Sequence, residues 1–243
     1  PINIGVKTDG IHPRIRNLAV KHGTDNIVEG PAMSRDECIR AIETGIAIVE
    51  ELKRDGYELV ITGEMGIGNT TTSSACAAVL FDKNPEFVTG RGAGLSTEGL
   101  RRKIEVVGLA LERNRPDPGD PIDIVSKVGG LDIAGMMGLY LGAAAFRMPV
   151  LIDGFISGIS ACLAQRLAPL CSAYMYPTHC SSEPAAKLIM KELKMEPVLL
   201  TGMHLGEGTG AAAALPLLDQ ALNVYYGLPG FASSHVAKYE HLK

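Results

Sequence analysis

Short apolar runs, each closing on a glycine or polar turn and each followed by a stretch with helical spacing, constrain this chain more than any other feature. Tyr57–Thr62, Pro149–Asp153, Cys171–Tyr176 and Pro197–Thr201 are such runs. They lack the polar alternation of a half-exposed strand, which is how parallel strands buried on both faces read. Between them fall segments with a helical period. Ser34 followed by Glu37 is a capping box, and Ile39, Ile42, Ile46, Val49 and Leu52 continue it at helical spacing until Gly56. Further helices are expected at 72–81, 97–113, 131–146, 156–167, 183–194 and 210–223, with residues 114–121 a proline-rich loop. Alternating strands and helices predict an α/β fold: a doubly wound, Rossmann-like parallel sheet flanked by helices, with right-handed crossovers. The 243 residues are expected to form one α/β domain over 1–243.

Composition narrows the partners. Hydrophobic residues make up 46% and charged residues 21%, enough for a full core. A net charge of −4 argues against nucleic acid, which needs a basic face, but leaves room for a small phosphorylated ligand held by a local donor cluster. No run reaches the ~18 apolar residues of a membrane span. The opening Pro1-Ile2-Asn3 carries no basic, apolar leader. The five cysteines, Cys38, Cys76, Cys162, Cys171 and Cys180, are odd in number and include no C-x-x-C pair. That pattern favours reduced thiols in a cytoplasmic protein, and neither they nor the histidines form a metal-ligand spacing. Met136, Met137 and Met148 read as core packing.

In parallel sheets, ligands bind beyond the carboxyl ends of the strands. Three glycine-rich segments stand there: 63–71 (GEMGIGNTT), 153–158 (DGFISG) and 202–210 (GMHLGEGTG). The first lets the backbone approach a ligand and offers the free N–H groups of a helix start to an anion. It has neither the Walker nor the dinucleotide spacing, and a tight helix-capping turn has the same pattern. The loop Gly90-Arg91-Gly92-Ala93-Gly94, with Lys103 on the following helix, combines backbone amides and two cations as a phosphate site does. A flexible loop beside a solvated basic face fits those residues too. Gly206-Glu207-Gly208 places a carboxylate at a helix start, where the dipole favours its charge and burial would raise its pKa. It can serve as a proton acceptor or simply as a favourable helix-terminal acid. No G-x-S-x-G elbow is present, which argues against a serine hydrolase.

Taken in order, GEMGIGNTT at 63–71, TGRGAG at 89–94, DGFIS at 153–157, HCSSE at 179–183 and LGEGTGA at 205–211 resemble the bacterial nicotinate-nucleotide:dimethylbenzimidazole phosphoribosyltransferases. The likeness runs through nearly the whole chain. It implies transfer of the phosphoribosyl group of nicotinate mononucleotide to 5,6-dimethylbenzimidazole, giving α-ribazole 5′-phosphate and nicotinate for cobalamin assembly. By that resemblance Glu207 removes the proton of the acceptor base, and Glu64 stabilises or orients the ribose as positive charge develops. Gly90, Arg91, Gly92 and Lys103 would hold the 5′-phosphate. Gly66, Asn69, Thr70, Ser181, Ser182, Leu205, Gly206 and Gly208 would line the nucleotide pocket. No metal or cofactor is implied, and a homodimer is. Members of the family carry a further segment ahead of the position of Pro1, so the small helical domain is expected to be incomplete. Relatives of this type could also use another benzimidazole, a purine or a phenol as acceptor, or bind the nucleotide without chemistry.

Overall fold

The computed structural model describes residues 1–8, 10–234 and 237. The chain opens with a pair absent from the sequence-based expectation: β1 (Ile2–Asn3) runs parallel to β2 (Arg16–Asn17). The buried Asn3 side chain makes this turn possible. Its Oδ1 accepts from the amides of Gly5 and Val6 at 3.0 and 2.7 Å, and its Nδ2 donates to Asn17 Oδ1 at 2.8 Å.

Helix α1 (Arg35–Arg54) begins at the expected capping box, with Glu37 N donating to Ser34 Oγ at 3.1 Å and Ser34 N to Glu37 Oε2 at 2.8 Å. It buries one stripe: Cys38, Ala41, Ile42, Gly45, Ile48 and Val49. After β3 (Val60–Ile61) come α2 (Asn69–Phe81), α3 (Pro85–Val88), α4 (Thr97–Asn114), α5 (Pro121–Val128) and α6 (Leu131–Ala145). The proline-rich stretch is a loop only as far as Asp120. Its carboxylate caps α5 by accepting from Ile122 N at 3.0 Å and Asp123 N at 3.2 Å, and Pro121 takes the first helical position, where no N–H is needed. Helices α1 and α6 touch backbone to backbone: a Cβ on Gly45 would lie 2.8 Å from Gly138 Cα, so neither glycine can carry a side chain there.

Strand β4 (Val150–Ile152) leads to α7 (Gly154–Leu167), and β5 (Met175–Pro177) to α8 (Ala186–Leu193), α9 (Thr209–Gly227) and α10 (Phe231–Ser234). The α/β class stands, with parallel strands in the order β3-β4-β5 and helices flanking them. Two expected strands change. Residues 169–174 wind as a 3-10 turn, so the third strand starts only at Met175. The run at 197–201 contributes a single bridge, Leu199 beside His179, because Val198 and Leu200 face solvent at 57% and 80% exposure. Helix α9 outlasts its expected end by four residues and carries Pro216 in its interior.

The core gathers Ile124, Ile133, Met137, Tyr140, Met148, Ile152, Ile159 and Leu163, all fully buried. The three methionines singled out from sequence lie within it, and all five cysteines are free thiols. No described helix is long and apolar enough to cross a membrane.

Candidate active site

Beyond the carboxyl end of β3 the chain turns at Gly63 and presents Glu64. Its Oε2 accepts from Gly66 N at 2.6 Å and from Asn69 Nδ2 at 2.8 Å, so the loop closes on its own carboxylate. Asn69 opens α2 and also donates, through the same nitrogen, to Asp132 Oδ2 at 2.8 Å in the first turn of α6. One amide thus bridges two carboxylates. Burial pushes both carboxyl groups above their ordinary range, and the charges of Asp132 and Asp153 push Glu64 further in that direction. Asn69 Oδ1 is buried without a partner. A cleft of about 720 Å³ opens here, lined by Glu64, Asn69 and Asp132 and walled by Ile4, Met65, Ile67 and Leu139. Asp132 was not legible as a site residue; its only local signal is an acid just after Gly129-Gly130 at a helix start.

The segment 206–208 runs beside this loop. Three successive residues, Gly206, Glu207 and Gly208, have positive φ of 79°, 59° and 79°. For glutamate that is the left-handed region, which costs roughly 1–2 kcal/mol for an L residue. The turn is held open from outside. Glu207 N donates to Glu64 O at 3.1 Å, and the buried Asp153 at the end of β4 accepts from Gly208 N, Gly210 N and Ala211 N at 2.9, 2.8 and 3.3 Å. Asp153 is therefore the cap of α9, supplied by another strand because Gly208 has no side chain. His179, also buried, stands 3.9 Å from Asp153 Oδ1; burial draws its pKa down while Asp153 opposes that. The Glu207 side chain is exposed and makes no hydrogen bond or ion pair among the described residues. It lines neither of the two clefts described here.

A second cleft of about 360 Å³ lies on the other side of Ile67 and Gly68, which border both clefts. Gly66, Thr70, Arg91, Gly94 and Lys103 line it. Lys103 is 6% exposed, and its ammonium donates to Thr70 Oγ1 at 2.9 Å and Gly90 O at 3.0 Å. Burial lowers its pKa, and the carboxylate of Glu183 works against that. Arg91 braces its own loop, donating to Leu95 O at 2.7 Å and Thr97 Oγ1 at 3.2 Å. Gly92 N donates to Glu183 Oε1 at 3.1 Å, which ties Gly90–Gly92 to the 179–183 segment. In that segment Ser181 is buried and accepts from Glu183 N at 3.3 Å, while exposed Ser182 gives its amide to Met203 O at 3.2 Å. Leu205 is 69% exposed. Of the expected residues, Glu64 and Asn69 line the larger cleft and Gly66, Thr70, Arg91 and Lys103 the smaller, whereas Gly90, Gly92, Ser181, Ser182, Leu205, Gly206, Glu207 and Gly208 line neither. Asp132 lines the larger cleft, while Asp153 and Glu183 hold the neighbouring turn and loop; none was picked out from sequence as a site residue, although Asp153 and Glu183 fall in the DGFIS and HCSSE segments.

Two carboxylates bridged by one amide, beside a cleft lined by a buried lysine, stand at the carboxyl edge of a parallel sheet, where α/β enzymes bind their ligands. Residues 1–236 match the model of a phosphoribosyltransferase family. The chain is 52% identical over 239 residues to the nicotinate-nucleotide–dimethylbenzimidazole phosphoribosyltransferase of Acetivibrio thermocellus, covering 98% of this chain and 68% of that protein. It is 48% identical to the enzyme of the same name from Ruminiclostridium cellulolyticum, covering all of this chain and 69% of that one. The crystal structure of CobT from Thermus thermophilus superposes with a TM-score of 0.90 at 35% identity, over 98% of this chain and 71% of that one. The chain belongs to the nicotinate-nucleotide–dimethylbenzimidazole phosphoribosyltransferase family.

Proposed function

We propose that this chain transfers the phosphoribosyl group of nicotinate mononucleotide to 5,6-dimethylbenzimidazole, releasing nicotinate and α-ribazole 5′-phosphate for cobalamin nucleotide-loop assembly. Family membership over nearly the full chain carries the reaction. The single structural observation that supports the assignment of roles is the backbone hydrogen bond from Glu207 N to Glu64 O at 3.1 Å, which packs the turn carrying Glu207 against the loop that presents Glu64 to the larger cleft.

In this reading Lys103, with the Gly90, Arg91 and Gly92 loop and Thr70, holds the 5′-phosphate in the smaller cleft. Gly66, Asn69, Ser181, Ser182, Leu205, Gly206 and Gly208 frame the rest of the nucleotide. The apolar walls of the larger cleft suit a flat aromatic base. Glu207, which lines neither cleft but has an exposed, unpaired side chain, turns toward the base and accepts its N–H proton, and the lone pair on the base's other nitrogen forms the new bond to C1 of the ribose. The bond from C1 to the nicotinate nitrogen breaks, and its electron pair leaves with nicotinate. Glu64 lies beside the ribose, where its charge offsets the positive charge that develops as nicotinate departs. Holding both reactants supplies several kcal/mol through orientation, as a general rule for such sites.

The same proposal takes the chain as one α/β domain, consistent with a continuous buried core, acting in the cytoplasm with its thiols reduced. It also takes the working form to be a homodimer, in keeping with the exposed apolar residues Leu217, Leu222, Val224, Tyr225 and Tyr226 on α9. The test is to incubate the protein with both substrates and separate the products by chromatography: nicotinate and α-ribazole 5′-phosphate should appear in equal amounts. Absence of nicotinate release overturns the proposal. A panel of benzimidazole, purine and phenol acceptors then fixes which base the larger cleft prefers.

A further inference from the structure

Glu183 precedes α8 in sequence, yet its carboxylate lies inside the Gly90–Gly92 turn. Oε1 accepts from Gly92 N at 3.1 Å. Oε2 is buried without a hydrogen-bond partner, pressed so close to Gly90 that a Cβ there would collide with it. A buried carboxylate oxygen left unpaired is costly and needs a reason. Within this loop, Arg91, Ala93, Gly94 and Leu95 border the smaller cleft, whereas Gly90, Gly92 and Glu183 do not. Glu183 therefore meets the loop from the side away from the cleft, while Lys103 meets it from within. Among the described residues, Glu183 is also the carboxylate whose charge bears on Lys103. Around that lysine α2 offers only the neutral hydroxyl of Thr70, and Arg91, the other cation on the cleft, is turned to Leu95 O and Thr97 Oγ1.

We propose that Glu183 is a positioning residue for phosphate recognition: from behind the loop it fixes the Gly90–Gly92 turn and holds the buried Lys103 in its charged, cleft-facing state. This rests on the reading above that the smaller cleft takes the 5′-phosphate of the nucleotide. A negative charge placed behind a phosphate loop is unfavourable to the phosphate itself. It is tolerated here because the carboxylate opposes the lowering that burial imposes on Lys103, the phosphate's main partner in this reading.

The experiment compares binding of nicotinate mononucleotide with that of its unphosphorylated riboside by calorimetry across a range of pH. The parent chain should prefer the phosphorylated form. Glu183→Gln should lower that preference about tenfold and move its loss at high pH down by about one unit, while riboside binding stays unchanged. The sign follows from the lysine: removing the carboxylate lowers the pKa of Lys103, so its charge is lost earlier as pH rises. Glu183→Ala, which removes the same carboxylate, should reproduce the effect and carries the test if Glu183→Gln fails to fold. A parent chain that prefers the phosphorylated form, with variants that keep the full preference and its pH profile, overturns the role of Glu183 alone. A parent chain with no such preference overturns the phosphate reading, and this inference with it. Equal weakening of both ligands would mean a merely structural role and overturns it too.

Discussion

Glu64 and Glu207 are one backbone hydrogen bond apart, yet the fold prepares them in opposite ways. Glu64 has its side chain fixed and its charge strained: two donors hold Oε2, burial disfavours ionisation, and Asp132 is bridged to it through Asn69. Glu207 has its backbone fixed and its side chain free: a left-handed turn pinned by Asp153 carries a carboxylate that touches no described partner. The difference teaches where precision is needed. A charge that must face a developing cation is best immobilised in a dry setting. A group that must meet a proton on an arriving base can keep its rotamers, provided its Cα is held in place.

The largest effect should come from the free carboxylate. Glu207→Gln should lower product formation at least ~100-fold while leaving nicotinate mononucleotide affinity within about twofold, because only the proton acceptor is removed. Steady-state rates and calorimetry on the one variant check both halves, and full turnover would break the contrast at its root. Next comes the device that holds the turn. Asp153→Ala leaves three amides without this acceptor, the buried ones of Gly210 and Ala211 and the half-buried one of Gly208. It should cost about 2–3 kcal/mol in urea unfolding and reduce kcat with it. A variant that loses neither would show that Glu207 needs no backbone anchor.

The sequence made legible what is local. The Ser34–Glu37 box, the helical stripe of α1 and the glycine turn around Glu207 each depend on residues within a few positions of one another. The start of α5 was equally local, since Asp120 then Pro121 is a helix-entry pair, but the density of prolines around it read as a loop. What stayed hidden is what the fold brings together across long separations. Asp153 meets Gly208 across 55 residues, Asp132 meets Asn69 across 63, and Glu183 meets Gly92 across 91. Asp132 sits in no pattern that marks it, and although Asp153 and Glu183 belong to the DGFIS and HCSSE segments, nothing there reveals their partners, because each partner is a backbone amide or an amide side chain on another element. The run at 197–201 failed for a related reason: its apolar residues read as burial, whereas the sheet offers Leu199 a single bridge and leaves its neighbours in solvent.

A smaller effect separates the two carboxylates by pH. In the folded chain Glu64 holds its proton above the ordinary value of 4.5, chiefly through burial, with Asp132 and Asp153 adding to it. The folded state therefore binds that proton more readily than the unfolded chain, and stability from this group is present at low pH and lost as pH rises through the raised value. Glu64→Gln keeps an oxygen able to accept from Gly66 and Asn69 but has no charge to bury. It should melt above the parent at about pH 8, with the gap closing as pH falls toward 4. Thermal scans over that window check the sign. A gap that widens on acidification would mean the hydrogen bonds to the charged form outweigh desolvation.

The smallest expected effect concerns the backbone of Glu207. Glycine adopts a φ of 59° without the steric penalty that glutamate bears there. Part of that gain is lost to the greater freedom of glycine in the unfolded chain, so Glu207→Gly should be more stable than the parent by about 0.5–1 kcal/mol. Glu207→Gln, which keeps the strained φ, should be neutral in the same urea titration. The pair separates two reasons for a glutamate at this position. If the glycine variant gains stability while losing turnover, the strained turn is retained for its carboxylate, as backbone outliers at functional sites generally are. If the glycine variant is destabilised, the glutamate side chain holds the turn together, and the freedom ascribed to it here is wrong.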